Sequence, residues 1–154
     1  MLQNHQFNDH KENKKKYYSG KKKRHTMKSQ IIVDKLSKKI IWTNFSPGKK
    51  HDFRIYKESK VKVLSEIKMN VDSGYQGLQK IHSNTSLPIK KTKKKLLTPI
   101  DKLLNKQLSS ARVLCENVIG MLKRFKIVAD KYRNRRKRFS LRFNLIVGMY
   151  NFEI

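Results

Sequence analysis

The sequence predicts an α/β domain with a β-hairpin in its first third and helices in its last third. Two runs rich in β-branched and aromatic residues, residues 24–34 and 39–45, flank a short polar link, which is typical of paired strands. A stretch from Thr98 to Phe125 repeats apolar residues every three or four positions, the period of an amphipathic helix. At 154 residues the chain has the length of one domain with a real core.

Short elements are expected between the hairpin and the long helix. The Ser-Pro-Gly at 46–48 ends the second strand, and residues 52–57 then predict a short helix capped near His51 and Asp52. Residues 67–71 alternate weakly between apolar and polar and stop at Asp72. Asp72 is therefore expected at the carboxyl end of a short strand, a frequent place for functional groups.

The segment between Asp72 and the long helix shows weaker patterns. Residues 75–82 predict a helical turn, and residues 87–89 predict a short segment at a sheet edge. The lysine-rich residues 90–95 predict a solvated loop.

Two helices are expected in the last third. Thr98 can cap the free amides of the first one, Pro99 suits its first position, and Asp101 faces the positive end of its dipole. Its apolar stripe comprises Leu104, Leu108, Ala111, Cys115, Val118, Leu122 and Phe125, with a break near Ser109 as an alternative to one continuous helix. A final helix, capped by Ser140, is expected to run through Leu145, Ile146, Met149 and Tyr150.

The charge of the chain points to a polyanionic partner. Thirty-eight Lys and Arg against eleven acidic residues give a net charge of +27, far more than solubility needs, so self-repulsion favours binding to nucleic acid. Because lysines dominate, we expect salt-sensitive and weakly selective binding to phosphates. Residues 1–16 are polar, without periodicity, and predict a loose basic arm, whereas residues 17–154 predict the folded part.

No secretory or membrane segment is expected. The first residues have no apolar core, and the longest apolar run, residues 145–150, is too short to span a bilayer. The single Cys115 cannot form an internal disulfide and lies on the apolar stripe, which favours packing in a reducing compartment. A cytoplasmic protein without a membrane partner is predicted.

Two acidic residues stand out on this cationic chain, and each has two readings. Asp72 precedes Ser-Gly, where an aspartate most often bonds the following amides in a turn. Glu116, about 120° around the helix from the middle of the apolar stripe, could pair with Arg112 four residues earlier. The alternative is that both carboxylates bind metal.

Several motifs occur in one order along the chain. They are Tyr-Tyr-Ser-Gly-Lys-Lys-Lys-Arg-His-Thr at 17–26, Pro-Gly and His-Asp at 47–52, Asp-Ser-Gly-Tyr-Gln-Gly at 72–77, Leu-Ser-Ser-Ala-Arg-Val at 108–113 with Glu116, Leu-Lys at 122–123, and Tyr-Arg-Asn-Arg at 132–135. In this order and spacing the chain resembles, over about residues 15–154, the C-terminal catalytic half of DDE-type insertion-sequence transposases, also described as DDE superfamily endonucleases.

The resemblance implies a ribonuclease-H-like fold, in which a mixed sheet flanked by helices gathers three carboxylates around two divalent ions. The second acid of the family falls on Asp72 and the third on Glu116, so these two residues are the expected catalytic and metal-binding residues. Hard oxygen ligands suit Mg²⁺ or Mn²⁺, which are the implied cofactors. The implied partners are double-stranded DNA at the element's ends and a second transposase chain, and the implied location is the bacterial nucleoid.

The first acid of the family has no counterpart in this chain. Counting back from Tyr17 reaches Met1, and neither Asp9 nor Asp34 inherits the role by position. Asp52 falls in a family motif, with helix capping as its simpler explanation and metal ligation as its minor one. We therefore expect a truncated transposase domain that lacks the first strand of the sheet and leaves the hairpin's neighbour unpaired. The alternative function is an inactive basic fragment that competes with intact transposase for DNA.

The basic clusters predict contacts to the DNA backbone. The candidate residues are Tyr17, Tyr18, Lys21, Lys22, Lys23, Arg24, His25, Arg112, Lys123, Arg133, Arg135 and Arg136. A solvated strand edge protected by lysines explains any single one of them nearly as well. The five histidines show no zinc-finger spacing with the lone cysteine.

Overall fold

The structure is a computed structural model that describes residues 2–6, 17–20, 23–91, 96–130 and 138–154. The chain divides into two compact units. The first comprises residues 1–50 and 116–154, and the second comprises residues 51–115.

The predicted hairpin is the centre of the first unit. Strand β3, Arg24–Val33, pairs antiparallel with strand β4, Ile40–Pro47, with one register shift near Val33. Ser37 closes the link between the strands, because both its amide and its hydroxyl donate to Asp34 Oδ2, at 2.7 and 2.6 Å. The hairpin prediction is confirmed, with the second strand ending two residues later than expected.

Two short strands extend this sheet to four. Strand β1, Leu2–Gln6, pairs antiparallel with residues 26–30 of β3, and strand β2, Tyr18–Ser19, pairs with residues 24–25. The prediction of a loose arm is wrong for residues 2–6, and the edge of β3 expected to be unpaired is paired there. The hydrogen bonds between strands join backbone amides and carbonyls and do not depend on the side chains. An edge strand can therefore form without an alternation of apolar and polar residues. The rest of the predicted arm, residues 1 and 7–16, lies outside the described residues.

Helix α4, Phe139–Glu153, packs on β4, and the predicted final helix is confirmed. Phe45 meets Phe139 and Phe143 edge-on, with ring centroids 5.6 and 5.3 Å apart, a favourable aromatic geometry. Of the four apolar residues through which this helix was expected to run, Ile146 and Tyr150 are buried, whereas Leu145 and Met149 are exposed. The helix is apolar on nearly all sides, so its periodicity could not tell which face is buried. Its buried residues are Phe139, Phe143, Ile146, Val147 and Tyr150, and its N-cap is Arg138 rather than Ser140.

Helix α2, Pro99–Leu122, is continuous through Ser109, so the alternative of a break is wrong. Its first turn is held by a reciprocal pair: Thr98 Oγ1 accepts from the amide of Asp101 at 3.1 Å, and Asp101 Oδ2 accepts from the amide of Thr98 at 3.0 Å. The apolar stripe is buried only near the end of the helix, at Val118 and Leu122, whereas Leu104 is exposed. The short helix α3, Lys126–Ala129, follows.

The second unit contains helix α1, Asp52–Ser59, and a parallel pair of two-residue strands, β5, Met69–Asn70, and β6, Thr85–Ser86. Two 3₁₀ turns, Ser73–Tyr75 and Leu78–Lys80, lie between the strands and confirm the predicted helical turn. The strand pairing ends before residues 87–89, where an edge segment was predicted. The buried side chains of this unit are Ile55, Tyr56, Tyr75, Leu78, His82 and Thr85.

The fold class is therefore mixed α/β, with small sheets and helices. The antiparallel strands and the parallel pair form separate sheets rather than the single mixed sheet that was expected. Among the described residues, no helix is both long and apolar enough to cross a membrane.

Candidate functional site

Asp72 begins a tight turn directly after a strand. Strand β5 ends at Asn70, and Asp72 is the N-cap of the 3₁₀ turn Ser73–Tyr75, with an extended backbone. Its Oδ1 accepts a hydrogen bond of 2.6 Å from the amide of Ser73. The prediction of Asp72 at a strand end is confirmed, and so is its turn-forming role.

Arg112 faces the same carboxylate. Its Nη1 lies 3.4 Å from Asp72 Oδ1, and the two side chains are 34% and 38% exposed, respectively. A guanidinium at this distance attracts the carboxylate, although the attraction is weakened by the solvent that reaches both groups. The ion pair joins the Asp72 turn to helix α2 within the second unit.

Both described contacts of Asp72 involve the same carboxylate oxygen. The hydrogen bond from Ser73 and the closest approach of Arg112 both fall on Oδ1. Within the part of the chain that the structure describes, no hydrogen-bond donor meets Oδ2. The turn therefore fixes the carboxylate by one oxygen and leaves the other able to bind a cation.

The glycine after Ser73 lies against another aspartate. A Cβ placed on Gly74 would stand 2.6 Å from Oδ2 of Asp52, closer than side-chain carbons approach other atoms. Asp52 is the first residue of α1, whose N-cap is His51 and makes no side-chain capping bond. Asp52 is therefore the first residue of the helix rather than its N-cap, contrary to the capping prediction, and its carboxylate packs on the Asp72 turn.

Glu116 lies on α2 with its side chain exposed, four residues after Arg112. It is the first residue of the later segment of the first unit, whereas Asp72 belongs to the second unit. Across the described residues, no three His, Cys, Asp or Glu side chains are grouped as a metal site would require. The carboxylates at 72 and 116 nevertheless have the hard oxygen donors that Mg²⁺ and Mn²⁺ prefer.

The candidate DNA-contacting residues are only partly described. Tyr18 lies on β2 with 44% of its surface exposed, and the exposed Lys23 adopts a left-handed backbone with φ 49° at the turn before β3. Lys123 is exposed just after α2, and Tyr17 is half-buried. Arg24 and His25 lie on β3 opposite β2. Lys21, Lys22, Arg133, Arg135 and Arg136 lie outside the described residues.

Two contacts of the Asp72 turn were not predicted from the sequence. Arg112 was considered as a partner of Glu116 or of DNA, and its ion pair with Asp72, forty positions earlier in the chain, was not foreseen. The approach of Asp52 to Gly74 was also missed. The glycine two residues after Asp72 was a usable signal for the second contact, since a glycine often marks a place where another group comes close.

The sequence matches known proteins over nearly its whole length. The model of the family described as DDE superfamily endonuclease matches residues 4–151. A protein of Microchaete diplosiphon described as the probable transposase for insertion sequence element IS702 is 43% identical over 144 residues, which cover 94% of this chain and 52% of that protein. The chain thus spans about half the length of this relative. No solved structure matches it.

Proposed function

Since this chain belongs to the DDE superfamily endonucleases, we propose that it contributes to DNA transposition as part of a transposase that cleaves and joins DNA at the ends of an insertion sequence. Endonucleases of this superfamily generally depend on divalent metal ions. The proposal includes Mg²⁺ or Mn²⁺ as the cofactor, and Asp72 and Glu116 as the residues that bind it.

One structural observation supports this assignment most strongly. Asp72 is anchored at Oδ1 by the amide of Ser73, and its Oδ2 meets no donor within the described residues. An aspartate that forms a turn needs only one carboxylate oxygen for the hydrogen bond to the backbone, so its second oxygen can bind a ligand. The side chain is also 38% exposed, which allows a hydrated cation to reach it.

Each residue has a role in the proposed chemistry. Divalent ions bound by these carboxylates would supply activation of the attacking oxygen and stabilisation of the leaving oxygen at a phosphodiester. Asp72 offers a ligand oxygen whose direction is set by the turn, and Glu116 offers a second carboxylate from a regular helix. Arg112, at the edge of the Asp72 carboxylate, carries a planar guanidinium that suits a DNA phosphate.

The proposed partner is double-stranded DNA, bound mainly through its phosphates, together with a second transposase chain. The net charge of +27 supports DNA binding. The basic and aromatic candidates of the sequence remain part of this proposal, as does a ribonuclease-H-like arrangement of the catalytic domain. A nucleoid location follows from the same proposal.

Metal-dependent nicking of DNA tests the function. Because the first acid of the family has no counterpart in this chain, a second transposase chain is added that supplies this acid and carries Asn and Gln in place of its own second and third acids. The two chains are incubated with supercoiled DNA carrying the element's ends, with Mn²⁺ or with EDTA. Nicking is expected only with metal and is expected to fall at least about a hundredfold in Asp72→Asn and Glu116→Gln, because each loses a charged ligand. Asp130→Asn, which removes an exposed carboxylate just after α3, is the matched control and should nick normally. Nicking that persists in Asp72→Asn contradicts the assignment.

DNA binding is tested separately by its salt dependence. The affinity for duplex DNA is expected to fall steeply and linearly in log–log form with salt, since bound phosphates release counterions. Asp72→Asn should retain this binding. A salt-independent affinity would refute binding through phosphates.

A further inference from the structure

The beginning of helix α1 lies against the turn that carries Asp72, and both contacts fall on glycines. The carboxylate of Asp52 occupies the space where a side chain of Gly74 would be. The ring of Phe53 does the same for Gly77, whose Cβ would lie 3.0 Å from Phe53 Cε1. The Asp-Ser-Gly-Tyr-Gln-Gly segment therefore follows a surface formed by two successive residues of α1.

At position 74 the Asp52 carboxylate, and not the backbone conformation, limits the space for a side chain, so a Cβ there would displace that carboxylate. Gly77 has a φ of +95°, which disfavours any side chain there, whereas Gly74 has no positive φ. At Gly74 an added Cβ would lie 2.6 Å from Oδ2, 3.3 Å from Cγ and 3.4 Å from Cβ of Asp52. Only the first two contacts are too close, and both involve carboxylate atoms.

The position of Asp52 at the start of α1 keeps its carboxylate against Gly74. As the acidic residue in the first turn of α1, it is favoured there by the free amides and the dipole of the helix. Ile55 and Tyr56 bury the next turn of the same helix in the core of the second unit. The carboxylate is thus attached to a rigid element and rests on the backbone two residues beyond Asp72.

We propose that Asp52 is a positioning residue that holds the Ser73–Tyr75 turn and so directs the free oxygen of Asp72. Asp52 acts by shape and by acceptor oxygens, and it does not bind the metal itself. This inference rests on the proposed function insofar as Asp72 binds metal. Its structural part, the coupling of Asp52 to the turn, stands on the contact with Gly74 alone.

A double-mutant cycle tests the inference. The variants are Gly74→Ala, Asp52→Ala, the two combined, and Asp52→Asn, with Gly148→Ala as the control because a Cβ on Gly148 meets nothing within 4 Å. Two quantities are measured on the full chain: the dissociation constant for Mn²⁺ by calorimetry, and the hydrogen-exchange rate of the Ser73 amide, which bonds to Asp72.

The expected pattern is strongly non-additive. Gly74→Ala pushes the Asp52 carboxylate away from the turn and is expected to weaken Mn²⁺ binding about tenfold, in the range for residues that orient ligands, and to accelerate exchange at Ser73. Asp52→Ala also weakens binding, because it frees the turn. In the Asp52→Ala background Gly74→Ala adds less than about twofold, because the two carboxylate atoms that it would approach too closely are gone and only the Cβ at 3.4 Å remains. Asp52→Asn keeps the shape and an acceptor oxygen and stays near the parent chain, as does Gly148→Ala.

Other outcomes overturn the inference. An equal effect of Gly74→Ala in both backgrounds, on either quantity, removes the coupling. A loss of Mn²⁺ affinity in Asp52→Asn as large as in Asp52→Ala makes Asp52 a metal ligand instead. If the parent chain binds no Mn²⁺, the proposed function fails, and the exchange rates at Ser73 alone then decide whether Asp52 holds the turn.

Discussion

The amide of Asn151 is expected to be one of the main polar attachments of helix α4. Its Oδ1 accepts from the amide of Ile40 at 2.9 Å, and its Nδ2 donates to the carbonyl of Ile40 at 2.9 Å. Ile40 is the first residue of β4 and is only 4% exposed, so water cannot easily replace either bond. The substitution Asn151→Ala removes both bonds at once.

The size of the effect follows from the number and burial of the bonds. Two hydrogen bonds contribute about 1–3 kcal/mol together, and the two buried backbone groups left without partners raise the total to about 3–4 kcal/mol. Alanine recovers roughly 0.5 kcal/mol through its better helix propensity. A net loss of about 3 kcal/mol is therefore expected, or about 6–12 °C in the unfolding temperature of a domain of this size.

Asn144→Ala is the matched control for this experiment. Asn144 lies on the same helix and makes one exposed bond, accepting from Thr43 Oγ1 at 2.8 Å, so the gain in propensity is the same and little is lost. The assay is urea unfolding of the full chain followed by far-ultraviolet circular dichroism. If the two variants unfold at the same urea concentration, the magnitude assigned to the bonds with Ile40 is refuted.

Two more predictions concern stability. The side-chain amide of Asn105 likewise accepts from the amide of Ile89 at 2.8 Å and donates to its carbonyl at 2.9 Å. Asn105→Ala should therefore lower the unfolding free energy by about 2 kcal/mol. A change below about 0.5 kcal/mol in urea unfolding would contradict this. The hydrogen bond from the Ser37 hydroxyl, and after it the one from the Ser37 amide, lowers the pKa of Asp34. The stabilisation of the folded state by the Asp34 carboxylate is therefore fully present above the ordinary carboxyl pKa, and it is lost as the pH falls through the lowered pKa. The stability difference between the parent chain and Asp34→Asn should therefore be constant above about pH 5 and vanish in acid; a difference that grows in acid would contradict this sign.

The sequence was sufficient where local patterns determine the structure. The β-branched runs around Ile32 and Ile41 predicted the hairpin, and Thr98 with Asp101 predicted the start of α2, because strand pairing and helix capping depend on neighbouring residues. Asp72 was correctly expected after a strand, since its Ser-Gly successor indicates a turn.

The sequence was insufficient where distant segments meet. Residues 2–6 form an edge strand through backbone hydrogen bonds, which the pattern of apolar and polar side chains does not reveal. The choice between Leu145 and Phe143 as a buried residue of α4 depends on which face meets β4, and an apolar helix does not specify that. The pairing of Arg112 with Asp72 and the bonds of Asn151 to Ile40 likewise join residues far apart in the chain.

We propose that Asp72 and Glu116 bind a divalent ion, and iron-directed cleavage of the protein backbone would show where such an ion is bound. Fe²⁺ shares the oxygen and nitrogen ligands of such sites, and with ascorbate and peroxide it generates hydroxyl radicals that cut the chain near the bound metal. We expect cuts next to residues 72 and 116. Excess Mg²⁺ should suppress them, Asp72→Asn should abolish them, and Asp130→Asn should preserve them. Cuts elsewhere in the chain, or cuts near residue 72 that persist in Asp72→Asn, would contradict it.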